Sequence, residues 1–192
     1  RKSIIYKKTQ NKQQKSRRCV ELSMFYVGIT HTDWFLQLRN DYRNNRLEKY
    51  VNFWTPGTKE FKAIGEGELF LFKLHNNKAK REDGEIVGGA FFSHFEKMGI
   101  QDAWKTYGRG NGRESLGAMR LSLKEVRERN HMATSEEEIG CIILENAFFF
   151  DRESWITEPE NWKKNIVSGK RYSTDEQVGE ELYRAVWNNI NK

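Results

Sequence analysis

Apolar residues along this chain fall into short blocks, and two of these blocks have the length and composition of buried strands. The first is residues 25–29. The second is residues 69–74, with the sequence LFLFKL. The second block is apolar on both faces until Lys73, which is typical of a strand inside a closed or covered sheet. A third strand is predicted at residues 86–92, where a Gly-Gly pair indicates a bulge or the close approach of another backbone.

Two further β-type segments lie close together near the middle of the second half of the chain. Residues 139–144 and 147–150 are separated only by Glu145 and Asn146. They form either two strands or one strand with a bend or bulge. The bent strand is favoured, because the apolar pattern runs on across the two polar residues.

Three segments have the 3.6-residue period of amphipathic helices. The first begins at Thr32 and runs to residue 39, the second covers residues 115–130, and the third follows a capping-box pattern, TDEQ, at residues 174–177. Five or so strands flanked by helices predict an α+β fold built on a small β-barrel. The 192-residue length suits one domain, placed at residues 24–192.

Large aromatic rings lie beside polar turn residues just before the predicted barrel wall. Trp34 is in the first helix, and residues 51–57 read VNFWTPG. Rings at such a rim can sandwich a flat ligand, as aromatic side chains hold a base that is swung out of a nucleic-acid strand. The alternative for each ring is packing in the core, where aromatic residues contribute most of their energy.

The positive charge of the chain is concentrated at its start. The whole sequence has a formal net charge of +6, but residues 1–24 contain eight Lys or Arg and one Glu, so the remainder sums to −1. Residues 1–23 are polar and lack hydrophobic periodicity, which predicts a disordered basic tail or sequence upstream of a native start at Met24. A phosphate-binding surface on the folded part is therefore expected to be a local patch.

The sequence contains no pattern typical of a catalytic or metal site. Its four histidines are scattered without metal-ligand spacing, and its two cysteines are too few for a disulfide scaffold or a four-ligand zinc site. The glycine-rich residues 108–112 lack the Lys-Ser/Thr ending of a phosphate loop. We therefore expect no catalytic residue, cofactor or metal. With no export signal and no apolar run of about 20 residues, we also expect no membrane partner and a cytoplasmic location.

Several short strings occur in an order and spacing that resemble a known family. They are FYVGIT (25–30), DW (33–34), VNFW (51–54), FLFKL (70–74), IVGGAFF (86–92), IGCIIL (139–144) and the segment 162–172. Together they resemble the N-terminal region of predicted restriction endonucleases that end in an HNH nuclease domain. That region is similar to the EVE, YTH and ASCH group of PUA-like barrels, which hold a modified base in an aromatic pocket.

The resemblance implies a PUA-like domain that reads a modified cytosine or adenine in DNA within a modification-dependent restriction system. The sequence ends at Lys192 without an HNH core. An HNH nuclease domain in the same or another chain is therefore the implied partner, and no catalytic residue of that nuclease can be assigned here.

The predicted site combines a base pocket with flanking phosphate contacts. The pocket has Trp34 and Trp54 for stacking, Asn52 or Asp33 for the base edge, and Phe91 or Phe92 to close it, with Phe53 alongside. The phosphate contacts are Lys59, Lys62, Arg109, Arg113, Lys170 and Arg171.

Two other functions remain open at this point. One is an RNA-binding module that reads a modified adenine in a single strand. The other is a small-molecule or protein-interaction domain, in which the aromatic rim binds a metabolite or peptide and the charged residues are only solvated.

Overall fold

The computed structural model describes residues 23–77, 82–134 and 137–192. The predicted basic tail therefore lies outside the described residues, apart from Ser23. Within these ranges the chain forms eight strands and four α-helices. In chain order they are β1 Met24–Thr30, α1 Thr32–Arg43, β2 Tyr50–Thr55, β3 Leu69–Leu74, β4 Asn76–Asn77, β5 Glu82–Asp83, β6 Ile86–Gly99, α2 Ile100–Tyr107, α3 Leu116–Arg129, β7 Glu138–Phe149, β8 Gly169–Ser173 and α4 Gln177–Ile190.

Six of the strands form one sheet in the order β2-β7-β6-β3-β1-β8. Strands β1 and β3 are parallel, and the other neighbours are antiparallel. Strands β2 and β8 are the two edges and are not hydrogen-bonded to each other. The small strands β4 and β5 form a separate ribbon.

The sheet curls towards a barrel. Phe53 of β2 and Phe70 of β3 are three strands apart, which in a flat sheet would separate them by about 14 Å. Their ring centroids are 4.8 Å apart. The two edge strands are therefore turned towards one another around a common interior, and the expected α+β barrel architecture is confirmed.

The longest strands contain the irregularities that allow this curl. Strand β7 is one continuous strand, as favoured from the sequence, and its pairing with β6 shifts register between Gly89 and Phe91. Asn146, opposite this shift, has a left-handed backbone with φ 52°. A bulge of this kind bends the strand and increases the local twist.

Apolar side chains pack on both faces of the sheet. The interior cluster includes Trp34, Phe35, Phe70, Phe72 and Leu144. A second cluster lies beneath α4 and includes Phe25, Leu69, Leu71, Tyr172 and Val186. A third lies beneath α2 and α3 and includes Ala103, Tyr107, Met119, Leu123 and Ile143. Strand β3 contributes to the first two clusters and all its residues are buried, which agrees with the prediction of a covered strand.

Candidate nucleic-acid interface

A cavity of about 700 Å³ lies at the open side of the curled sheet. Edge strand β2 forms one wall, residues 166–168 before β8 form the opposite wall, and the end of α3 covers a third side. Its lining residues are Ile29, His31, Trp34, Phe53, Trp54, Thr55, Pro56, His75, Arg113, Val126, Arg129, Asn130, Met132, Ile166, Val167 and Ser168.

The aromatic part of the cavity comes from β2 and α1. Adjacent side chains of a strand point to opposite faces, yet both Phe53 and Trp54 line the cavity, because it reaches around the free edge of β2. Trp54 is half-buried, and its indole N–H donates to the backbone carbonyl of Asn111 at 3.1 Å. The hydrogen bond fixes one edge of this ring, and the Arg113 guanidinium lies over the ring with its Cζ 5.7 Å from the centroid. Part of the ring remains accessible.

Trp34 lies deeper, in the interior core. It is 4% exposed, and its ring packs edge-on against Phe53 and Phe72 with centroid distances of 5.3 and 5.1 Å. Its indole N–H donates to the backbone carbonyl of Asn52 at 3.1 Å. Gly112, whose φ is 67°, packs directly against the indole, and a Cβ at this position would overlap the ring. Trp34 is therefore a supporting wall of the cavity.

The ionisable residues of the cavity lining are two arginines and two histidines, with no carboxylate among them. Arg113 is 7% exposed; its Nε donates to Ser122 Oγ and its Nη1 to the carbonyl of Gly112, both at 2.7 Å. Burial lowers the pKa of the Arg113 guanidinium, whereas the charges of Asp33 and Glu125 raise it. Arginine nevertheless stays protonated in proteins, so the cavity carries a fixed positive charge.

His31 and His75 meet in this cavity, with ring centroids 6.0 Å apart and an edge-to-face arrangement. Burial lowers the pKa of His31, and the charges of Arg113, His75 and Arg129 lower it further, against a smaller opposing effect of Asp33. Among the described residues, no three His, Cys, Asp or Glu side chains are grouped so as to hold a metal ion.

The structure brings Trp34, Phe53, Trp54 and Arg113 of the predicted site together at the cavity. Asp33 is exposed and close enough to influence the titration of His31 and Arg113.

Asn52 is completely buried and does not line the cavity. Its Nδ2 donates to Asn111 Oδ1 at 2.9 Å and to Cys141 Sγ at 3.3 Å. Since Asn111 also accepts the hydrogen bond from Trp54, Asn52 supports the residue that positions the accessible ring.

The two phenylalanines predicted to close the pocket lie elsewhere. Phe91 packs against Phe148 and Trp187 beneath α4, with centroid distances of 6.4 and 6.5 Å. Phe92 is 7% exposed in the interior core and packs against Phe61 at 5.4 Å. Neither lines the cavity.

Most of the predicted phosphate contacts lie away from the cavity. Arg109 is held by two hydrogen bonds to Asp41, at 2.7 and 3.0 Å. Lys62 pairs with Glu60 at 2.9 Å. Lys170 donates to the carbonyl of Asn161 at 3.3 Å, while Lys59 and Arg171 are exposed.

Sequence reasoning missed the histidine pair, Arg129 and the wall at residues 166–168. These residues come from distant parts of the chain, and no local pattern joins them. The only available signal was that His31 and His75 each follow a predicted buried strand.

No helix among the described residues is long and apolar enough to cross a membrane.

Structural comparison relates the chain to an ASCH protein from Zymomonas mobilis. A tyrosine-to-phenylalanine variant of that protein matches with a TM-score of 0.54 and 9% identity, over 84% of this chain and 97% of the other. A serine-to-alanine variant matches with a TM-score of 0.54, 8% identity and coverages of 84% and 95%. A further structure of ASCH from that organism matches with a TM-score of 0.50 and 8% identity, over 84% of this chain and 94% of the other.

No protein-family model matches the chain, and no curated protein matches it in sequence. At 8–9% identity the structural likeness shows the fold alone. It supports the PUA-like barrel fold that was expected from the sequence. The association with HNH restriction endonucleases remains a prediction.

Proposed function

We propose that this domain binds a nucleic acid and holds one base in the cavity beside β2, stacked on Trp54. The observation that carries this proposal is the combination of an accessible indole with a lining that contains cationic and no anionic side chains. Aromatic stacking is indifferent to base identity and contributes about 1–3 kcal/mol per base. The arginines then favour a ligand that carries negative charge next to its flat ring.

The local charge of the cavity contrasts with that of the folded region. Residues 25–192 have a formal net charge of −1, so the domain as a whole does not attract phosphates. Arg113 and Arg129 are placed in the cavity together. A cleft lined by one sign of charge concentrates oppositely charged ligands even when the protein is nearly neutral.

The size of the cavity is also suitable. Ligand pockets in proteins usually occupy about 300–1,000 Å³, and this one measures about 700 Å³. It has room for a base with its sugar and one phosphate group. A base that enters this cavity must leave its neighbours in the strand, either by flipping from a duplex or by belonging to a single strand.

The finer form of the proposal concerns the identity of the base. The resemblance to modification-dependent restriction systems favours a modified cytosine or adenine in DNA, with an HNH nuclease domain in the same or another chain as partner. This form rests on the resemblance, whereas the cavity itself is equally suited to a base in RNA.

Val167 offers a test that leaves the core untouched. Its side chain is 86% exposed on the cavity wall, so substitutions there are expected to fold normally. Val167→Glu places a negative charge in the lining of the cavity and should weaken oligonucleotide binding by about fivefold or more at low salt. Val167→Gln is the neutral control of equal size. Leu121→Glu, at a 59% exposed position outside the cavity, controls for the change in net charge.

Binding is measured by fluorescence anisotropy with the full chain, so that residues 1–22 contribute equally in every variant. Loss of binding in Val167→Glu alone supports the cavity as the site. Equal binding by Val167→Glu and Val167→Gln overturns the proposal.

The same assay tests the base. The ligands are matched single-stranded RNA, single-stranded DNA and DNA duplexes with unmodified or methylated cytosine or adenine. A preference for one methylated duplex, lost in Trp54→Ala and kept in Trp187→Ala, supports the modified-DNA form. Equal affinity for methylated and unmodified DNA rejects that form, and tighter binding of RNA assigns the cavity to RNA.

A further inference from the structure

Base stacking leaves the two histidines of the cavity unexplained. Their proximity is fixed by the sheet, because β1 and β3 run parallel and their last residues, Thr30 and Leu74, are register partners. His31 and His75 are the next residues of the two strands, so they emerge side by side from the same end of the sheet. The 6.0 Å separation of their rings is therefore a property of the fold.

The surroundings of the pair favour an anion. Arg113 and Arg129 share the cavity with the two imidazoles, and the nearby carboxylate that influences His31 is that of exposed Asp33. Arg113 uses Nε and Nη1 on Ser122 and Gly112. Its Nη2 has no hydrogen-bond partner among the described residues, which leaves a donor for a ligand.

We propose that His31, His75 and Arg113 bind the phosphate group of the nucleotide whose base occupies the cavity, and that the histidine pair takes up a proton when this phosphate binds. This inference rests on the proposed function, since it assigns the second half of the same ligand. A phosphate oxygen accepts hydrogen bonds only, so both imidazoles and the guanidinium must act as donors towards it.

The proton uptake follows from the charges. In the free protein, burial and the neighbouring arginines lower the pKa of His31, which favours its neutral form. A bound anion offsets the repulsion from Arg113 and Arg129 and stabilises the imidazolium. Affinity for the anion should therefore rise as the pH falls through the pKa of the histidine in the complex, and it should decline as the pH rises above that value.

Sulfate is the first probe, because it does not itself titrate in the relevant range, and any pH dependence of its binding comes from the protein. Histidine resonances of the full chain are followed by NMR during sulfate titration at about pH 6 and about pH 8. We expect the resonances of His31 and His75 to shift, and the affinity to be roughly tenfold higher at the lower pH.

His31→Gln and His75→Gln should each weaken sulfate binding and reduce its pH dependence. His94→Gln is the matched control, since His94 is exposed, lies near Glu96 at 3.6 Å and is outside the cavity. Calorimetry in buffers of different ionisation enthalpy measures the protons taken up. Binding that is independent of pH, or unchanged in both histidine variants, overturns the inference.

Nucleotide ligands separate this inference from the proposed function. Oligonucleotide binding that requires Trp54 but ignores His31 and His75 leaves the base site standing and removes the phosphate site. Sulfate binding at the histidine pair without any oligonucleotide binding leaves the anion site standing and removes the base site. Comparing oligonucleotides with and without a terminal phosphate shows whether the bound group is a phosphate monoester or a diester.

Discussion

Replacing Asp41 by asparagine tests whether Arg109 belongs to the fold rather than to a phosphate-binding surface. Asp41 is 1% exposed and accepts hydrogen bonds from Arg109 Nε at 3.0 Å and Nη2 at 2.7 Å. Gln37 donates a further bond to it at 3.0 Å. The pair joins α1 to the turn that leads into Gly112, the residue packed against Trp34.

The expected cost of Asp41→Asn is about 2–3 kcal/mol of unfolding free energy. Breaking a fully buried ion pair costs about 3–5 kcal/mol. The cost is lower here because the side chain of Arg109 is 37% exposed and regains water. Asparagine also keeps one carbonyl acceptor, but its amide group faces the guanidinium donors, so one charge-assisted bond, worth about 1.5–3 kcal/mol, is lost.

The pH dependence provides a second signature. Burial alone raises the pKa of Asp41, but the hydrogen bonds from Arg109 and Gln37 and the charges of Arg109 and Arg46 outweigh it, so the pKa lies below the ordinary value of 3.8. The carboxylate therefore stabilises the fold fully above the unfolded pKa, and this contribution is lost as the pH falls through the folded pKa. The difference between the original protein and the variant should narrow from about pH 6 to about pH 3.

Urea unfolding followed by tryptophan fluorescence measures both effects. Asp151→Asn is the control, because Asp151 pairs with Arg43 at 2.9 Å while the two side chains are 80% and 55% exposed. It should change stability by less than about 0.5 kcal/mol. The reasoning is wrong if Asp41→Asn costs no more than Asp151→Asn, or if its cost is the same at both pH values.

Two further predictions concern buried groups. Glu158→Gln should lower the free energy of unfolding in urea by about 1–2 kcal/mol, because it removes the charge 2.7 Å from the ammonium of Lys73, whose side chain is 2% exposed. Glu60→Gln, which breaks the exposed pair with Lys62, is the control and should change this free energy by less than about 0.5 kcal/mol. Equal effects of the two substitutions would contradict the prediction. Burial raises the pKa of the Cys141 thiol to about 11. In a Cys19→Ser background a thiol reagent should therefore label it only as urea unfolds the protein, and rapid labelling without urea would show that the thiol is accessible.

The strands predicted best from the sequence are those buried on both faces. Residues 69–74 form β3 as expected, since an apolar run of that length bounded by turns is typical of a buried strand in a small domain. The extension of β6 to Gly99 was missed, because its second half is polar and mostly half-exposed. That half is held by ladder pairing with β7, from His94 opposite Ile143 to Gly99 opposite Glu138, which is information from a distant segment.

The same limit applies to the site. Trp54 and Arg113, which line the cavity, were among the residues proposed from the sequence, because aromatic and basic residues at a turn are recognisable locally. Asn52 has a side-chain amide of the kind that often contacts ligands. This side chain is nevertheless directed into the fold by its hydrogen bond to Asn111, which lies far along the chain. The histidine pair depends on the parallel register of β1 and β3, which no local pattern encodes.

The gap between the edge strands β2 and β8 accounts both for the accessible ring of Trp54 and for the cavity beside it. An exposed strand edge leaves backbone groups unpaired and invites association with other chains. In β2 the carbonyl of Asn52 is satisfied by the indole N–H of Trp34 instead of by another strand. Trp34 thus caps the edge from inside while Trp54 stays accessible beside it, and residues 166–168 form the facing wall without joining β2. Closing the sheet would remove the cavity, so the gap that leaves the barrel incomplete is also the opening through which the proposed ligand would enter.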